Sequence, residues 1–186
     1  MTPRMRSGQQ PSGKSDWETP DDLMAVLREE FGEFDLDPCA TQDTKKAAFW
    51  YGPDSPLEYD CKPDGGYPKA KDMRKATDGL AIGWMHKVYV NPPYGRGIAA
   101  WVGKCARETW WDGNAELVVA LLPVATDTHW WLTWIGGYAT EVRFLKGRVH
   151  FKGAAGPAPF ASAIVVWRRG MLGWHRVSYW DWKAKL

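Results

Sequence analysis

The sequence predicts an α/β sandwich built on a mostly parallel sheet that carries one antiparallel strand. Apolar segments of strand length alternate with segments whose apolar residues recur at helical spacing, a pattern typical of α/β folds. The unbroken apolar run Leu117–Leu122 indicates an internal strand that is buried on both faces and is parallel to a neighbour. The link 153–159 is rich in glycine and proline, which predicts antiparallel pairing of the strands on either side.

The amino-terminal end of the chain predicts a tail followed by a domain. Residues 1–15 are polar and carry basic but no acidic side chains, so we expect a flexible basic tail. Residues 16–186 are long enough for one core and too short for two, and we expect a single domain there. Its first element is a helix at about Asp21–Glu30, with Thr19 or Asp21 as its N-cap.

The remaining elements follow in alternation. Strands are predicted at Phe34–Asp37, near Phe49–Tyr51, at Val88–Val90, Glu116–Pro123, Glu141–Leu145 and Ala161–Arg168, and within Trp174–Trp182. Helices are predicted at Ile98–Thr109 and Thr126–Ile135, the second capped by Thr126 or Asp127. Residues 41–80 carry four prolines and predict a long loop, which in a compact domain is usually functional or disordered.

Composition excludes some classes of function and leaves others open. A formal net charge of +2 is too small to indicate nucleic-acid binding by itself. The basic residues between 143 and 152 indicate either a phosphate-binding patch or a solvated basic face. The three cysteines and four histidines are scattered, so we expect neither a metal site nor a disulfide framework. We expect no signal peptide, no membrane span and a reducing intracellular compartment.

The most informative motif is the corner Asn91-Pro92-Pro93-Tyr94, which follows the strand Val88–Val90. Two prolines fix two φ angles, remove two backbone donors and hold the preceding residues extended. Asn91 adds a side-chain acceptor and Tyr94 adds a flat aromatic face. Acceptors beside an aromatic plate suit the grip of an exocyclic amino group on a planar ring, although an ordinary turn has the same residues.

A second corner, Asp37-Pro38-Cys39-Ala40, ends the predicted strand before it. Ligands of open α/β sheets bind outside the carboxyl ends of the strands. If the two strands are neighbours, a cofactor held near Asp37 would face a base held near Asn91. The alternative role for Asp37 is that of a cap or turn residue.

Several motifs occur together in a specific order and spacing. They are Trp17-x-Thr19-Pro20, Phe34–Thr41, Asp78-Gly79-Leu80, Asn91-Pro92-Pro93-Tyr94, Leu122-Pro123 followed by Thr126–Thr128 and Trp130, and Gly147–Phe151. On these motifs, residues 16–168 resemble the phage-type DNA N6-adenine methyltransferases, the Dam-like family. The resemblance implies a Rossmann-like fold and a DNA-binding enzyme that transfers a methyl group from S-adenosylmethionine to the N6 of a flipped-out adenine in double-stranded DNA.

The resemblance also implies roles for individual residues. The Asn91 side-chain oxygen and the Pro92 carbonyl would hold the two amino protons, Pro93 would complete the corner, and Tyr94 would stack on the adenine. Cofactor contacts would come from Trp17, Thr19, Pro20, Asp37, Pro38 and Ala40, with Asp78 or Leu80 lining the adenine pocket. DNA phosphates would be bound by Arg96, Lys146, Arg148 and Lys152. The expected setting is the cytoplasm of a phage-infected or prophage-bearing bacterium, with either protection from restriction or regulation as the biological role.

Some points stay open at this level. The segment after the first strand lacks the glycine-rich loop of many S-adenosylmethionine enzymes. The acidic ribose ligand could be Asp54, Glu58 or Asp60, and no separate target-recognition domain is evident. The same corner could serve a methyltransferase acting on RNA adenine, cytosine N4 or protein glutamine. A non-catalytic nucleic-acid-binding protein of the same fold is a further alternative, and the target sequence and oligomeric state are not indicated.

Overall fold

The computed structural model describes residues 17–60, 73–75, 77–110, 113–171 and 176–186. The tail predicted for residues 1–15 lies outside the described residues, as do Asp16 and part of the predicted loop between residues 60 and 80. None of the helices in the described ranges combines the length and the hydropathy needed to cross a membrane.

The elements alternate largely as predicted. They are helix α1 (Asp21–Phe31), β1 (Leu36–Asp37), β2 (Phe49–Trp50), β3 (Glu58–Asp60), β4 (Met73–Lys75), β5 (Met85–Val90), α2 (Ile98–Trp110), β6 (Asn114–Pro123), a π-helix (Trp131–Gly136), β7 (Glu141–Leu145), β8 (Ser162–Arg168), β9 (Arg176–Trp180) and a 3-10 helix (Trp182–Lys185).

Seven of the strands form one sheet in the order β2-β1-β5-β6-β8-β7-β9. Strand β8 is antiparallel to both of its neighbours, whereas every other pair in this sheet is parallel. The prediction of a mostly parallel sheet with one antiparallel strand is therefore confirmed. Strands β3 and β4 form a separate antiparallel pair, so the region predicted as a long loop contains strands of its own.

Strand β6 lies in the middle of the sheet, and its side chains contribute to the hydrophobic core on both faces of the sheet. Its side chains from Leu117 to Leu122 are nearly or completely buried, as the apolar run predicted. Successive side chains of a strand point to opposite faces of the sheet. Those of Val118, Ala120 and Leu122 pack in a core cluster with α2, and those of Leu117, Val119 and Leu121 in a cluster with α1. The strand is parallel to β5 and antiparallel to β8, so its predicted parallel pairing holds on one side only.

Two predicted helix caps are wrong. The N-cap position of α1 is Pro20, and no side-chain hydrogen bond caps the helix, because the Thr19 hydroxyl is bonded elsewhere. In the segment predicted as a helix from Thr126, residues 126–128 form a turn and the Trp131 N–H instead donates to Thr128 Oγ1 at 3.4 Å. Tertiary contacts and a preceding turn thus override the local capping pattern at both positions.

The order of the strands places the two corners side by side. The chain passes from β1 outwards to β2 and then returns to the other side of β1 as β5. Strands β1 and β5 are parallel, with Leu36 opposite Val88, so their carboxyl ends meet at one edge of the sheet. This reversal of direction is the place where open α/β sheets bind ligands.

Candidate active site

A cleft of about 350 Å³ opens at the carboxyl ends of β1 and β5. Such a volume lies within the range of small-molecule sites. Its walls come from the segment before α1, from both corners, and from the loops after β1, β2 and β4. The lining residues are Trp17, Glu18, Thr19, Asp37, Pro38, Cys39, Ala40, Thr41, Thr44, Lys46, Tyr51, Gly52, Pro53, Thr77, Asp78, Gly79, Tyr89, Asn91, Pro92, Pro93 and Trp101.

The Asn91 side chain has one end bonded and one end free. Its Nδ2 donates to the Trp17 carbonyl oxygen at 2.5 Å and to Thr19 Oγ1 at 3.1 Å. Because a carbonyl oxygen can only accept, these bonds fix which end of the amide carries the nitrogen. The Oδ1 atom is buried and accepts no hydrogen bond from any described residue. A buried acceptor without a partner costs about 1–3 kcal/mol, so the lone pairs of Oδ1 can gain a hydrogen bond from a ligand.

Thr19 joins Asn91 to the core of the domain. Its hydroxyl lies 2.7 Å from the Tyr89 hydroxyl, and both residues are almost completely buried. Burial raises the pKa of Tyr89 above its usual value, so the phenol is neutral across the physiological range. Thr19 therefore links two residues of the β5 strand end to the segment before α1.

Asp37 at the end of β1 is a buried carboxyl with both oxygens engaged. Its Oδ1 accepts the Cys39 N–H at 3.3 Å and its Oδ2 accepts the Lys46 N–H at 3.1 Å. Burial raises the pKa of Asp37 to about 6, although these hydrogen bonds oppose the shift. The Cys39 thiol donates to the Asn91 backbone carbonyl at 3.3 Å, so the two corners are bonded to each other.

Two glycines pack closely against the backbone of the segment after β1. A Cβ on Gly52 would lie 1.9 Å from the Ala40 carbonyl oxygen, and a Cβ on Gly79 would lie 1.9 Å from the Pro38 carbonyl oxygen. Only glycine permits such close approach of two backbones. The loop after the first strand has no glycine of its own, but each of the two segments packed against it supplies one at the point of close contact.

One group of lining residues is charged. The Lys46 side chain is only 8% exposed, and its Nζ lies 2.6 Å from Glu18 Oε1, while Lys152 Nζ lies 3.1 Å from the same oxygen. Lys152 also contacts Asp21 Oδ2 at 2.8 Å. Burial raises the pKa of Glu18, but the bonds to the two lysines outweigh it and leave the pKa below its usual value. The sequence offered no signal for Lys46, while Glu18 stands inside the Trp17-x-Thr19-Pro20 motif.

The other group of lining residues is aromatic. Tyr51 and Trp101 belong to the core cluster on the α2 side, where Trp101 stacks on Trp84 with ring centroids 6.3 Å apart. Lys46 and Glu18 lie instead beside Asp21 of α1. The cleft therefore runs across the edge of the sheet, from a charged wall beside α1 to an aromatic wall beside α2.

Tyr94 lies next to this cleft and does not line it. Its hydroxyl donates to the Leu121 carbonyl at 3.1 Å, and its half-buried ring makes edge contacts with Phe151 and Phe160, at centroid distances of 6.1 and 5.4 Å. Trp17 contacts the same two phenylalanines at 5.1 and 5.7 Å. The fold thus assembles aromatic side chains of the Trp17, Asn91 and Gly147–Phe151 motifs on one side of Asn91.

The structure brings most of the expected site residues together. Those that line the cleft are Trp17, Thr19, Asp37, Pro38, Ala40, Asp78, Asn91, Pro92 and Pro93. Pro20 is placed at the start of α1 and Leu80 in a second hollow of about 430 Å³ near α2. Asp54 does not line the cleft, and its two oxygens accept the Gln42 N–H and the Trp50 indole N–H. The side chains of Glu58 and Asp60 lie outside the described part.

The four basic residues expected at phosphates differ in their surroundings. Lys152 is held by Glu18 and Asp21, and Lys146 lies 2.5 Å from Asp181 Oδ2. Arg96 and Arg148 are exposed, and neither forms an ion pair within the described ranges. Among the described residues no cluster of histidine, cysteine or acidic side chains could hold a metal ion.

Comparison with known proteins identifies a family for the chain. No curated protein matches the chain. A family model described as DNA N-6-adenine-methyltransferase (Dam) matches residues 69–170, which is more than half of the chain. The matched region contains the Asn91 corner and Gly147–Phe151, whereas Trp17, Thr19 and Asp37 precede it. The chain therefore belongs to the DNA N-6-adenine-methyltransferase (Dam) family.

Proposed function

We propose that this protein transfers a methyl group from S-adenosylmethionine to the N6 of a flipped-out adenine in double-stranded DNA. Membership of the family supports adenine methylation, DNA as the substrate and S-adenosylmethionine as the methyl donor. The observation that carries the proposal is the buried, unpartnered Asn91 Oδ1 at the meeting point of the two corners.

The two walls of the cleft support this choice of donor, which would supply an electrophilic methyl group on a sulfonium when bound. The donor has a zwitterionic amino-acid end and a purine nucleoside end, and the cleft has one charged and one aromatic wall. Lys46 would hold the carboxylate, and Glu18 would hold the ammonium group. Tyr51 and Trp101 would contact the nucleoside, with the exposed Asp78 carboxylate available to its hydroxyl groups.

The Asn91 corner would prepare the target amine. The adenine amino group is a poor nucleophile, because its lone pair is delocalised into the ring. Asn91 Oδ1 and the Pro92 carbonyl would each accept one amino proton, which favours a tetrahedral nitrogen and directs its lone pair towards the cleft. The bound donor would supply the methyl group, so that a nitrogen–carbon bond would replace the carbon–sulfur bond, and the extra proton would then pass from the cationic nitrogen to solvent water. Positioning and preorganised dipoles would then supply most of the rate.

The aromatic cluster beside Asn91 would receive the base. An adenine inside a duplex must be flipped out before its amino group can be reached, at a cost of a few kcal/mol. Stacking on an aromatic side chain contributes roughly 1–3 kcal/mol per base. Tyr94 would offer its ring to the adenine, held in place by its bond to Leu121 and by Phe160.

Arg96 and Arg148 would bind DNA phosphates, because both are exposed and stand in or next to matched motifs. Lys146 and Lys152 contribute less in this proposal, since acidic side chains already neutralise them. We further propose that the protein acts in the cytoplasm of a phage-infected or prophage-bearing bacterium, where methylation would protect DNA from restriction.

The test is methyl transfer from labelled S-adenosylmethionine to unmethylated double-stranded DNA, followed by chemical identification and mapping of the product. We expect N6-methyladenine at a defined sequence. Parallel reactions with RNA and with a glutamine-containing protein probe the other acceptors that the corner could hold. Detection of N4-methylcytosine, methylated RNA or methylated glutamine in place of N6-methyladenine would contradict the proposal and identify the acceptor. DNA binding without cofactor and without any methyl transfer would indicate a non-catalytic binding protein.

A further inference from the structure

The Asn91 side chain is held by groups that accept a hydrogen bond. Two acceptors face Nδ2: the Trp17 carbonyl at 2.5 Å and Thr19 Oγ1 at 3.1 Å. Turning the amide over would place Oδ1 against the Trp17 carbonyl oxygen, with no hydrogen between the two acceptors. The environment of Asn91 therefore permits one orientation of the amide.

Thr19 keeps its acceptor role through Tyr89. The hydroxyls of Thr19 and Tyr89 lie 2.7 Å apart, and either one can donate. In both directions of this bond Thr19 Oγ1 retains a lone pair for Asn91 Nδ2. Because Thr19 is 1% and Tyr89 0% exposed, water cannot readily replace either partner.

We propose that Trp17, Thr19 and Tyr89 are positioning residues that lock the Asn91 amide with Oδ1 towards the target amine, and that this lock makes the site require asparagine and not aspartate at position 91. The inference rests on the proposed function, because it assigns the free Oδ1 to the adenine amino group. It goes beyond that function by giving a catalytic purpose to Thr19 and Tyr89.

The requirement for asparagine follows from donors and acceptors. An ionised aspartate has no hydrogen to donate, so it would face the Trp17 carbonyl acceptor with a second acceptor. A protonated aspartic acid can donate to the Trp17 carbonyl and still present its other oxygen to the amine. Asn91→Asp is therefore expected to be active only in its protonated form.

The first test compares wild type and Asn91→Asp from pH 5.5 to 8.5 at saturating DNA and cofactor. We expect the variant's kcat to be about 100-fold below wild type near pH 8 and the deficit to shrink by about tenfold for each pH unit lost, until the new acid is protonated. The titratable side chains that share the cleft with position 91 are Glu18, Asp37, Cys39, Lys46, Tyr51, Asp78 and Tyr89. They are present in both proteins, so the ratio of the two kcat values reports on position 91.

The second test needs no turnover. Asparagine occurs at only two positions, Asn91 and the exposed Asn114, so selective ¹⁵N labelling of asparagine gives one reporter and one internal control. We expect the Asn91 side-chain amide to exchange with solvent more slowly than that of Asn114. Thr19→Val should speed its exchange by up to about tenfold, Tyr89→Phe by less, and Thr19→Ser should preserve the wild-type rate.

The outcomes separate the two claims. If wild type methylates no adenine, the proposed function fails, whatever the amide spectra show. If wild type methylates adenine but the Asn91→Asp ratio does not change with pH, or Thr19→Val leaves both kcat and Asn91 exchange unchanged, the lock is overturned. If Asn91→Asp does not fold, the Thr19→Val and Thr19→Ser pair decides by exchange and by kcat at unchanged KM.

Discussion

The two corners that form the cleft satisfy their buried polar atoms in opposite ways. At the end of β1 both carboxylate oxygens of Asp37 accept backbone N–H groups, from Cys39 and Lys46. At the end of β5 the Asn91 side-chain nitrogen donates two hydrogen bonds to the protein, while the side-chain oxygen has no partner among the described residues. The hydrogen bonds of Asp37 therefore shape the loop that forms the wall, whereas Asn91 has an unused acceptor, which we propose for the substrate amine.

The largest expected effect comes from removing the free acceptor. Asn91→Ala should lower kcat by about 100–1000-fold, since one preorganised electrostatic contact to the reacting group is lost. Affinity for S-adenosylhomocysteine, measured by calorimetry, should change by less than about threefold, because Asn91 addresses the amine. The matched control is Asn114→Ala, at an exposed strand start remote from the cleft. Near-normal turnover of Asn91→Ala would contradict the proposal that Asn91, unlike Asp37, supplies an acceptor for the substrate.

Asp37 should govern the pH dependence of stability. Its folded pKa of about 6 lies above the usual aspartate pKa of 3.8, because burial disfavours the charged form. The folded state then binds the proton more tightly than the unfolded state, so this contribution is fully present below about pH 4 and is lost as the pH rises through 6. The total is on the order of 3 kcal/mol.

Denaturant unfolding of wild type and Asp37→Asn between pH 4 and pH 7 measures this contribution. The free energy of unfolding of wild type should fall relative to that of the variant over this range. Asp127→Asn, at an exposed turn, serves as the control. A constant difference between wild type and Asp37→Asn would show that Asp37 titrates at its ordinary pKa.

The charged wall should recognise one end of the cofactor. Lys46→Met should weaken binding of S-adenosylhomocysteine by about tenfold or more, because a partly buried charge pair is lost. Binding of methylthioadenosine should be nearly unchanged, because this ligand lacks the amino-acid end. Lys45→Met, one residue away and stacked on Trp50, is the control. Equal losses for both ligands would assign Lys46 a purely structural role.

The smallest effects are expected at the exposed arginines. Arg148→Ala should weaken DNA binding a few-fold. It should also lower the slope of log Kd against log salt concentration by about 1, because one phosphate contact is lost. Lys146→Ala should have less effect, because Asp181 already neutralises this ammonium. Titrations at several salt concentrations give both slopes, and a larger loss at Lys146 than at Arg148 would reverse the proposed ranking.

The sequence predicted those parts of the fold and site that depend on local pattern. Apolar periodicity was sufficient for α1, α2 and β6, and proline punctuation was sufficient for the Asn91 corner. The sequence did not predict the hydrogen bond from Asn91 to Thr19, whose local pattern is that of a helix cap, because the two residues lie 72 positions apart. Lys46 carried no signal for the same reason, since its ion pair with Glu18 spans 28 positions and forms only in the folded chain.

A crystal structure of the protein with a non-reactive cofactor analogue and duplex DNA that contains the target adenine would show whether Asn91 Oδ1 accepts a hydrogen bond from the adenine amino group. We expect an extrahelical adenine whose N6 lies within about 3 Å of Asn91 Oδ1, while Asn91 Nδ2 still donates to the Trp17 carbonyl. An adenine amino group held by other atoms, with Oδ1 still unpartnered, would contradict it.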